Sequence, residues 1–366
     1  DVSRKGFLTI HLRFMNSPLH NIPSAPQSND FDESACREIL SAFPNNWPVG
    51  LQNTLIKNLQ KLRHRFFICD DSGSMCNNDG KRLVQSGNTK SSIPCSRWAE
   101  LSEAIRFHMN LARATATPTE FRFLNSAHPI LVGKGNNMDE SAEFGIINSI
   151  LNDSPNGGTP LCRHIREVIA SIRALEPSLR AQGQRACVII ATDGESSDGD
   201  IAQAMLPLKD LPVWVVLRLC TDDDKVVSYW NAIDEQLELS MDVLDDLFGE
   251  AEEVHRHNPW LVYGEPLHRL REFGSLSREL DLLDERLVPL EDLRKLCCSI
   301  IGGEVQDFPD PCVDFPEFYS RVSVAVMHQS RIFDVLTKRD RPWIDVAALK
   351  ACYGRRSLCN RLCNIS

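Results

Sequence analysis

The sequence predicts an α/β fold, a doubly wound and mostly parallel sheet with helices on both faces, followed by a helical C-terminal region. Short apolar runs bounded by turn residues alternate with amphipathic stretches from residue 51 onward, the signature of strands crossed by helices. The runs Ala186–Ala191 and Val213–Leu217 are apolar without alternation, as strands buried on both faces are. The composition, 42% hydrophobic and 25% charged over 366 residues, is that of a globular chain too long for one small core.

Taken in order, residues 1 to about 30 mix Pro, Ser and Asn without periodicity and read as an extended arm. A short helix is expected from Asp32. Leu51, Leu55, Leu59 and Leu62 then form one helical stripe leading into a strand, Arg65–Cys69. A helix over Arg97–Ala114 carries Trp98, Leu101, Ile105, Met109 and Ala112 inward. Glu120–Leu124 and Ile130–Val132 pair as a hairpin, and a second helix runs over Ser141–Leu151. Pro160 suits the first turn of a third helix, which continues through His164, Val168 and Ile172 toward Leu175. Strands Ala186–Ala191 and Val213–Cys220 flank a short helix near Ile201–Leu206.

Beyond the last strong strand, Ile233, Leu237, Met241, Leu244 and Phe248 read as one helical stripe. From Asp222 to Glu253 there are twelve acids against one base, Lys225, enough to account for the net charge of -10. These acids read as a solvated helix face. Two more helices are expected over Pro289–Ile301 and Phe315–Leu336, joined by a connector with Pro309, Pro311 and Pro316. The resulting organisation is an N-terminal arm and short helix over 1–50, the α/β domain over 51–263, and a helical region over 264–366.

Composition also excludes function classes. A net charge of -10 leaves no basic track for phosphates, so nucleic acid is excluded as a partner. No apolar run approaches the length that spans a bilayer, so no transmembrane segment is expected. The chain opens at Asp1 and not at Met, so the lack of a signal peptide carries little weight. Thirteen cysteines, an odd count with Cys69, Cys187 and Cys220 inside strands, point to free thiols and an intracellular, cytoplasmic setting. Cys352, Cys359 and Cys363 lack a fourth ligand at zinc-site spacing. The pair His255 and His257 stands in a polar stretch and reads as solvated.

Asp70-Asp71-Ser72-Gly73-Ser74 follows the first strand. Ligands collect at the carboxyl ends of parallel strands, and here one carboxylate and two hydroxyls stand at alternate positions. An ordinary turn with a helix cap would use the same residue types. Two distant segments add to the cluster: Thr159 in Gly157-Gly158-Thr159-Pro160 and Asp193 just past Ala186–Ala191, both expected on the same sheet edge. Such hard oxygens suit Mg2+ or Mn2+, with Ca2+ as an alternative.

Asp70, Ser72, Ser74, Thr159 and Asp193 together resemble the metal-ion-dependent adhesion site (MIDAS) of von Willebrand factor type A (vWA) domains, a family that includes integrin inserted domains and copines. The resemblance covers about residues 60 to 260 and implies a Rossmann-like sheet with the ion at its top. It further implies that Ser72 and Ser74 ligate the ion directly, that Thr159 joins in a high-affinity state, and that Asp70 and Asp193 act largely through water. Two carboxylates neutralise a divalent ion and leave it able to attract a carboxylate from a protein partner. Asp71 is expected to point away from the ion and Glu195 to lie outside its ligands. Where the chain departs from the family is Cys76–Ser96, a long polar loop beside the site. The sixth strand is expected at Asn258–Tyr263.

The function expected is therefore a divalent-metal-dependent protein-binding module that takes a partner Asp or Glu. The alternative is an intracellular assembly scaffold whose helical region binds partners while the ion is structural. A metal-dependent hydrolase is disfavoured because no His stands in the three site loops, and a haloacid-dehalogenase-like site would need an acid in place of Ser72. The acids Asp222, Asp223 and Asp224 are expected as a rim on the metal-bearing edge.

Overall fold

The computed structural model describes residues 33–42, 47–86, 89–135, 139–221, 223–237 and 239–363. The expected arm at 1 to 30 and the acid Asp222 lie outside these. Helices α1 (Glu33–Ala42) and α2 (Val49–Lys61) lead into β1 (Leu62–Cys69), which is buried along its whole length. β2 (Gly80–Ser86) and β3 (Thr89–Cys95) form a separate antiparallel hairpin. α3 (Arg97–Ala114) starts at Ser96, whose hydroxyl accepts a hydrogen bond from the Ala99 N–H as an N-cap does. β4 (Thr119–Phe123) and β5 (Ile130–Val132) pair antiparallel, as expected. Helices α4 (Ser141–Asn152) and α5 (Leu161–Ala181) precede β6 (Arg185–Thr192); α6 (Ile201–Met205) then leads to β7 (Val213–Leu219).

The remaining elements are α7 (Asp224–Leu237), β8 (Met241–Leu244), α8 (Leu247–His257), α9 (Glu265–Glu272), α10 (Arg278–Asp281), α11 (Leu290–Ile301), α12 (Phe315–Met327), the small antiparallel pair β9 (Ile332–Asp334) and β10 (Arg339–Arg341), and α13 (Val346–Cys363).

Six strands form the central sheet in the order β5-β4-β1-β6-β7-β8, parallel except for β5. This is the doubly wound α/β class expected. Alternation along the strands splits the core: Phe66, Ile68, Val188, Ile190, Val215 and Leu217 face α5, α6 and α7, whereas Phe67, Cys69, Ile189, Ala191 and Val216 face α3 and α4. A third core joins α1 and α2 to α8, α9 and the C-terminal helices through residues such as Leu51, Leu55, Trp260, Leu270, Phe273, Leu296 and Phe318.

Several expectations are corrected. Ile233–Phe248 is not one helix. Met241–Leu244 leaves the helical stripe to pair parallel with β7, satisfying that strand's open edge, and Asp246 caps a new helix by accepting from the N–H groups of Phe248 and Gly249. The sixth strand is therefore Met241–Leu244 and not Asn258–Tyr263, which makes only an isolated bridge from Leu261 to Ile344. Cys76–Ser96 is largely the hairpin β2–β3 and not a loop. The helix from Phe315 stops at Met327, and Ile332–Asp334 is extended. The acids after Asp222 are not all solvated: Asp242 and Glu250 are buried against Arg271.

Candidate metal centre

The chain leaves β1 for β4 on one side and later returns to β6 on the other, so the winding direction reverses between β1 and β6. The crevice at the carboxyl ends of two such strands is where doubly wound sheets hold ligands. Asp70 follows β1 and Asp193 follows β6, and the Asp70 N–H donates to the Ala191 carbonyl at 2.9 Å, fixing one loop against the other strand.

Four of the five residues read from the sequence meet there. Ser72 and Ser74 share a hydrogen bond of 3.0 Å between their hydroxyls, and the Ser74 hydroxyl donates to Asp193 Oδ1 at 2.8 Å. Asp70 is fully buried beside them; its Oδ1 accepts from the Ser72 N–H at 2.9 Å and its Oδ2 from the Thr192 hydroxyl at 2.7 Å. Burial pushes the Asp70 carboxyl above its ordinary value, against hydrogen bonding from Ser72 and Thr192 that pulls it down, and the charge of Asp193 adds to the rise.

Thr159 lies on the adjoining loop. The Gly73 N–H donates to the Gly157 carbonyl at 3.2 Å, and Asn125 Nδ2 donates both to the Gly158 carbonyl at 3.0 Å and to Asp71 Oδ1 at 2.8 Å. Thr159 N–H and carbonyl pair with Ser197, through its hydroxyl at 3.1 Å and its N–H at 2.9 Å. Among the described residues the Thr159 hydroxyl itself makes no hydrogen bond. Asp71 points to Asn125 and away from Ser72 and Ser74, and Glu195 is exposed. Asp198 caps α5 by accepting from the N–H groups of Cys162 and Arg163.

The oxygens fit a small hard cation. An octahedral ion with ligands at about 2.0–2.1 Å places neighbouring ligand oxygens roughly 2.9 Å apart. The Ser72–Ser74 and Ser74–Asp193 separations of 3.0 and 2.8 Å, which are those of the hydrogen bonds the residues make to one another, allow that spacing without rearrangement. The set combines two carboxylates with neutral hydroxyls, and Ser74, Gly157 and Gly158 leave it open to solvent.

No family model matches the chain, and no curated protein matches its sequence. Among solved structures it is similar to the conserved hypothetical protein BatB from Bacteroides thetaiotaomicron, at 17% identity and a TM-score of 0.30, over 43% of this chain and 65% of that one. It is similar to the SpRpn10 VWA domain at 12% identity and a TM-score of 0.34, over 50% of this chain and 87% of the other. A third is proximal thread matrix protein 1 from the mussel byssus, at 14% identity and a TM-score of 0.26, over 43% of this chain and 38% of that one. The chain thus spans less than two-thirds of BatB and of the mussel protein. The fold class stands on the strand order and not on these likenesses.

Sequence reasoning missed Arg97, Thr192 and Asn125. Arg97 Nη1 donates to Asp193 Oδ2 at 2.8 Å, and the other edge of the same guanidinium forks onto Asp79 at 2.7 and 2.5 Å. Asp79 holds the Arg97 guanidinium strongly protonated, and Arg97 in turn holds the Asp79 carboxyl below its usual range. Thr192 had a findable signal, a hydroxyl one residue before Asp193; the roles of Arg97 and Asn125 depend on contacts across the fold.

Of the acids expected as a rim, Asp223 and Asp224 follow β7, next to β6, and are exposed; Asp223 Oδ1 accepts from the Lys225 N–H at 2.9 Å. His164, one turn into α5, is buried with Nε2 3.1 Å from the Leu124 carbonyl, and burial lowers its basicity. The side chains of Cys359 and Cys363 lie outside the described residues. Among the described residues no helix is long and apolar enough to cross a membrane.

Proposed function

We propose that this chain is a vWA-type protein-binding module whose affinity for its partner depends on a divalent ion, Mg2+ or Mn2+, held by Asp70, Ser72, Ser74, Asp193 and Thr159. A single observation carries this reading: the Ser72 and Ser74 hydroxyls and the Asp193 carboxylate stand 2.8–3.0 Å apart in the crevice between β1 and β6, with the buried Asp70 carboxylate held beside them by the Ser72 N–H. The ion supplies a Lewis-acidic seat for an anionic oxygen. Asp70, held by Thr192 and the Ser72 N–H, fixes charge beneath it, and the exposed rim at Ser74, Gly157 and Gly158 gives a partner's Asp or Glu access. The role is binding and not catalysis, because the buried His164 is engaged with a carbonyl and no His stands in the three site loops themselves. The buried thiols suit an intracellular setting.

The C-terminal region reads as part of the same body, because Arg271 and Glu272 of α9 are buried in ion pairs with β7, β8 and α3. The test is a calorimetric titration of the chain with MgCl2 alongside capture of protein partners from cell extract with Mg2+ or EDTA. Mg2+ binding that is lost in Asp70→Ala, Ser72→Ala and Asp193→Ala with the fold retained, and capture that EDTA abolishes, support the module. Full Mg2+ affinity in Asp193→Ala overturns the site, and capture indifferent to EDTA favours a scaffold.

A further inference from the structure

The guanidinium of Arg97 is shared between two carboxylates of unequal burial. Asp193 has a side chain 1% exposed and Asp79 one 40% exposed, while Arg97 itself is 11% exposed. Both oxygens of Asp193 are engaged, Oδ1 by the Ser74 hydroxyl and Oδ2 by Arg97 Nη1. A cation thus already sits on an acid that a divalent ion would need, its single charge shared between Asp193 and Asp79. Asp79 is a ready second seat: it makes two hydrogen bonds to Arg97 against one from Asp193.

The tether reaches further. Asp79 immediately precedes β2, the Arg97 N–H donates to the Asn77 carbonyl at 2.9 Å, and the Lys81 N–H donates to Glu100 Oε2 at 2.9 Å. The base of the hairpin is therefore pinned to the first turn of α3 through the residue that also touches the candidate metal ligand.

We propose that Arg97 competes with the divalent ion for Asp193 and sets the metal affinity, with Asp79 drawing the guanidinium away when the ion takes its place. This rests on the metal reading above. Removing the competing charge strengthens metal binding, whereas removing Asp79 leaves the guanidinium wholly to Asp193 and weakens it. A purely structural role for Arg97 predicts loss and not gain. The contact is buried, so its effect persists at high salt, where a long-range field is screened to about 3 Å at 1 M.

The experiment is calorimetric titration of the full chain with MgCl2 and with MnCl2, for wild type, Arg97→Gln and Asp79→Asn, at about 0.1 and 1 M NaCl. The expected result is binding at least about 10-fold tighter in Arg97→Gln at both salt concentrations, and several-fold weaker in Asp79→Asn. Unchanged or weaker affinity in Arg97→Gln overturns the competition, as does a gain that vanishes at 1 M or an unweakened Asp79→Asn. Asp79 is surface-placed, so its variant gives the answer should Arg97→Gln not fold. Binding in Arg97→Gln but not in wild type supports the proposal; binding in neither removes the metal reading along with it.

Discussion

Arg271 of α9, with no solvent exposure, donates to Asp242 of the edge strand β8 at 2.8 Å and to Glu250 of α8 at 2.6 Å. It also reaches Asp284 at 3.2 Å. One guanidinium therefore ties the end of the central sheet to the region that follows it. The next residue, Glu272, meets Arg269 at 2.8 Å, His108 at 3.1 Å and Arg218 at 3.4 Å, joining α9 to α3 and β7. Such buried charges are costly to strand, because each keeps its desolvation penalty when a partner is removed.

Arg271→Met is accordingly expected to destabilise the chain by about 3–5 kcal/mol, since it leaves Asp242 and Glu250 facing one another without a counter-charge. Adding Asp242→Asn should recover part of the loss. Urea unfolding followed by circular dichroism reads both, and a single variant within 1 kcal/mol of wild type would show that the acids are already neutral.

The same cluster predicts a pH dependence. Burial, with Asp242, Glu285 and Asp284 nearby and against the opposing pull of Arg271, raises the Asp281 carboxyl from 3.8 to about 7. A carboxyl whose folded value is raised binds its proton more tightly in the folded chain. Its stabilising contribution is complete below about 4 and is lost as pH rises through about 7. Asp281→Asn, which imitates the protonated acid, should therefore unfold at the same urea concentration as wild type at pH 4 and at a higher one at pH 8. An equal difference at both pH values would remove Asp281 as the titrating group.

Much of the sheet was legible because its central strands are apolar on both faces: Phe66–Cys69, Ala186–Ala191 and Val213–Leu217 stand out from any background. The site acids and hydroxyls were legible for a related reason, since they lie directly beyond those runs or at a Gly-Gly turn. The hairpin β2–β3 was not, because Lys81, Arg82, Gln85 and Ser86 are exposed and the strand has no buried face to impose alternation. β8 was hidden because Met241 and Leu244 have a spacing that a helix shares. Asp242 and Glu250 passed for solvated acids because their counter-ion, Arg271, is 29 and 21 residues away in the chain.

The loop that carries Thr159 offers a test of how tightly its backbone is tied to the metal ligands. Gly157 has φ +97, a conformation that side chains rarely adopt, and a Cβ there would stand 2.3 Å from Asn125 Oδ1. Asn125 is the bridge between Asp71 and the Gly158 carbonyl, so Gly157→Ala both strains the backbone and pushes that bridge aside. Gly183 supplies the control: its φ is +60, it lies at the end of α5 on the opposite edge of the sheet, and nothing lies within 4 Å of a Cβ there. Both alanine variants are expected to lose about 1–3 kcal/mol of stability from the left-handed backbone alone. Only Gly157→Ala should also weaken Mg2+ binding, by several-fold, because only there does the displacement reach Thr159 and the Asp70–Ser74 turn. Chemical unfolding and Mg2+ calorimetry on the two variants separate the effects, and equal Mg2+ affinity in both would mean that the Thr159 loop stands apart from the metal centre.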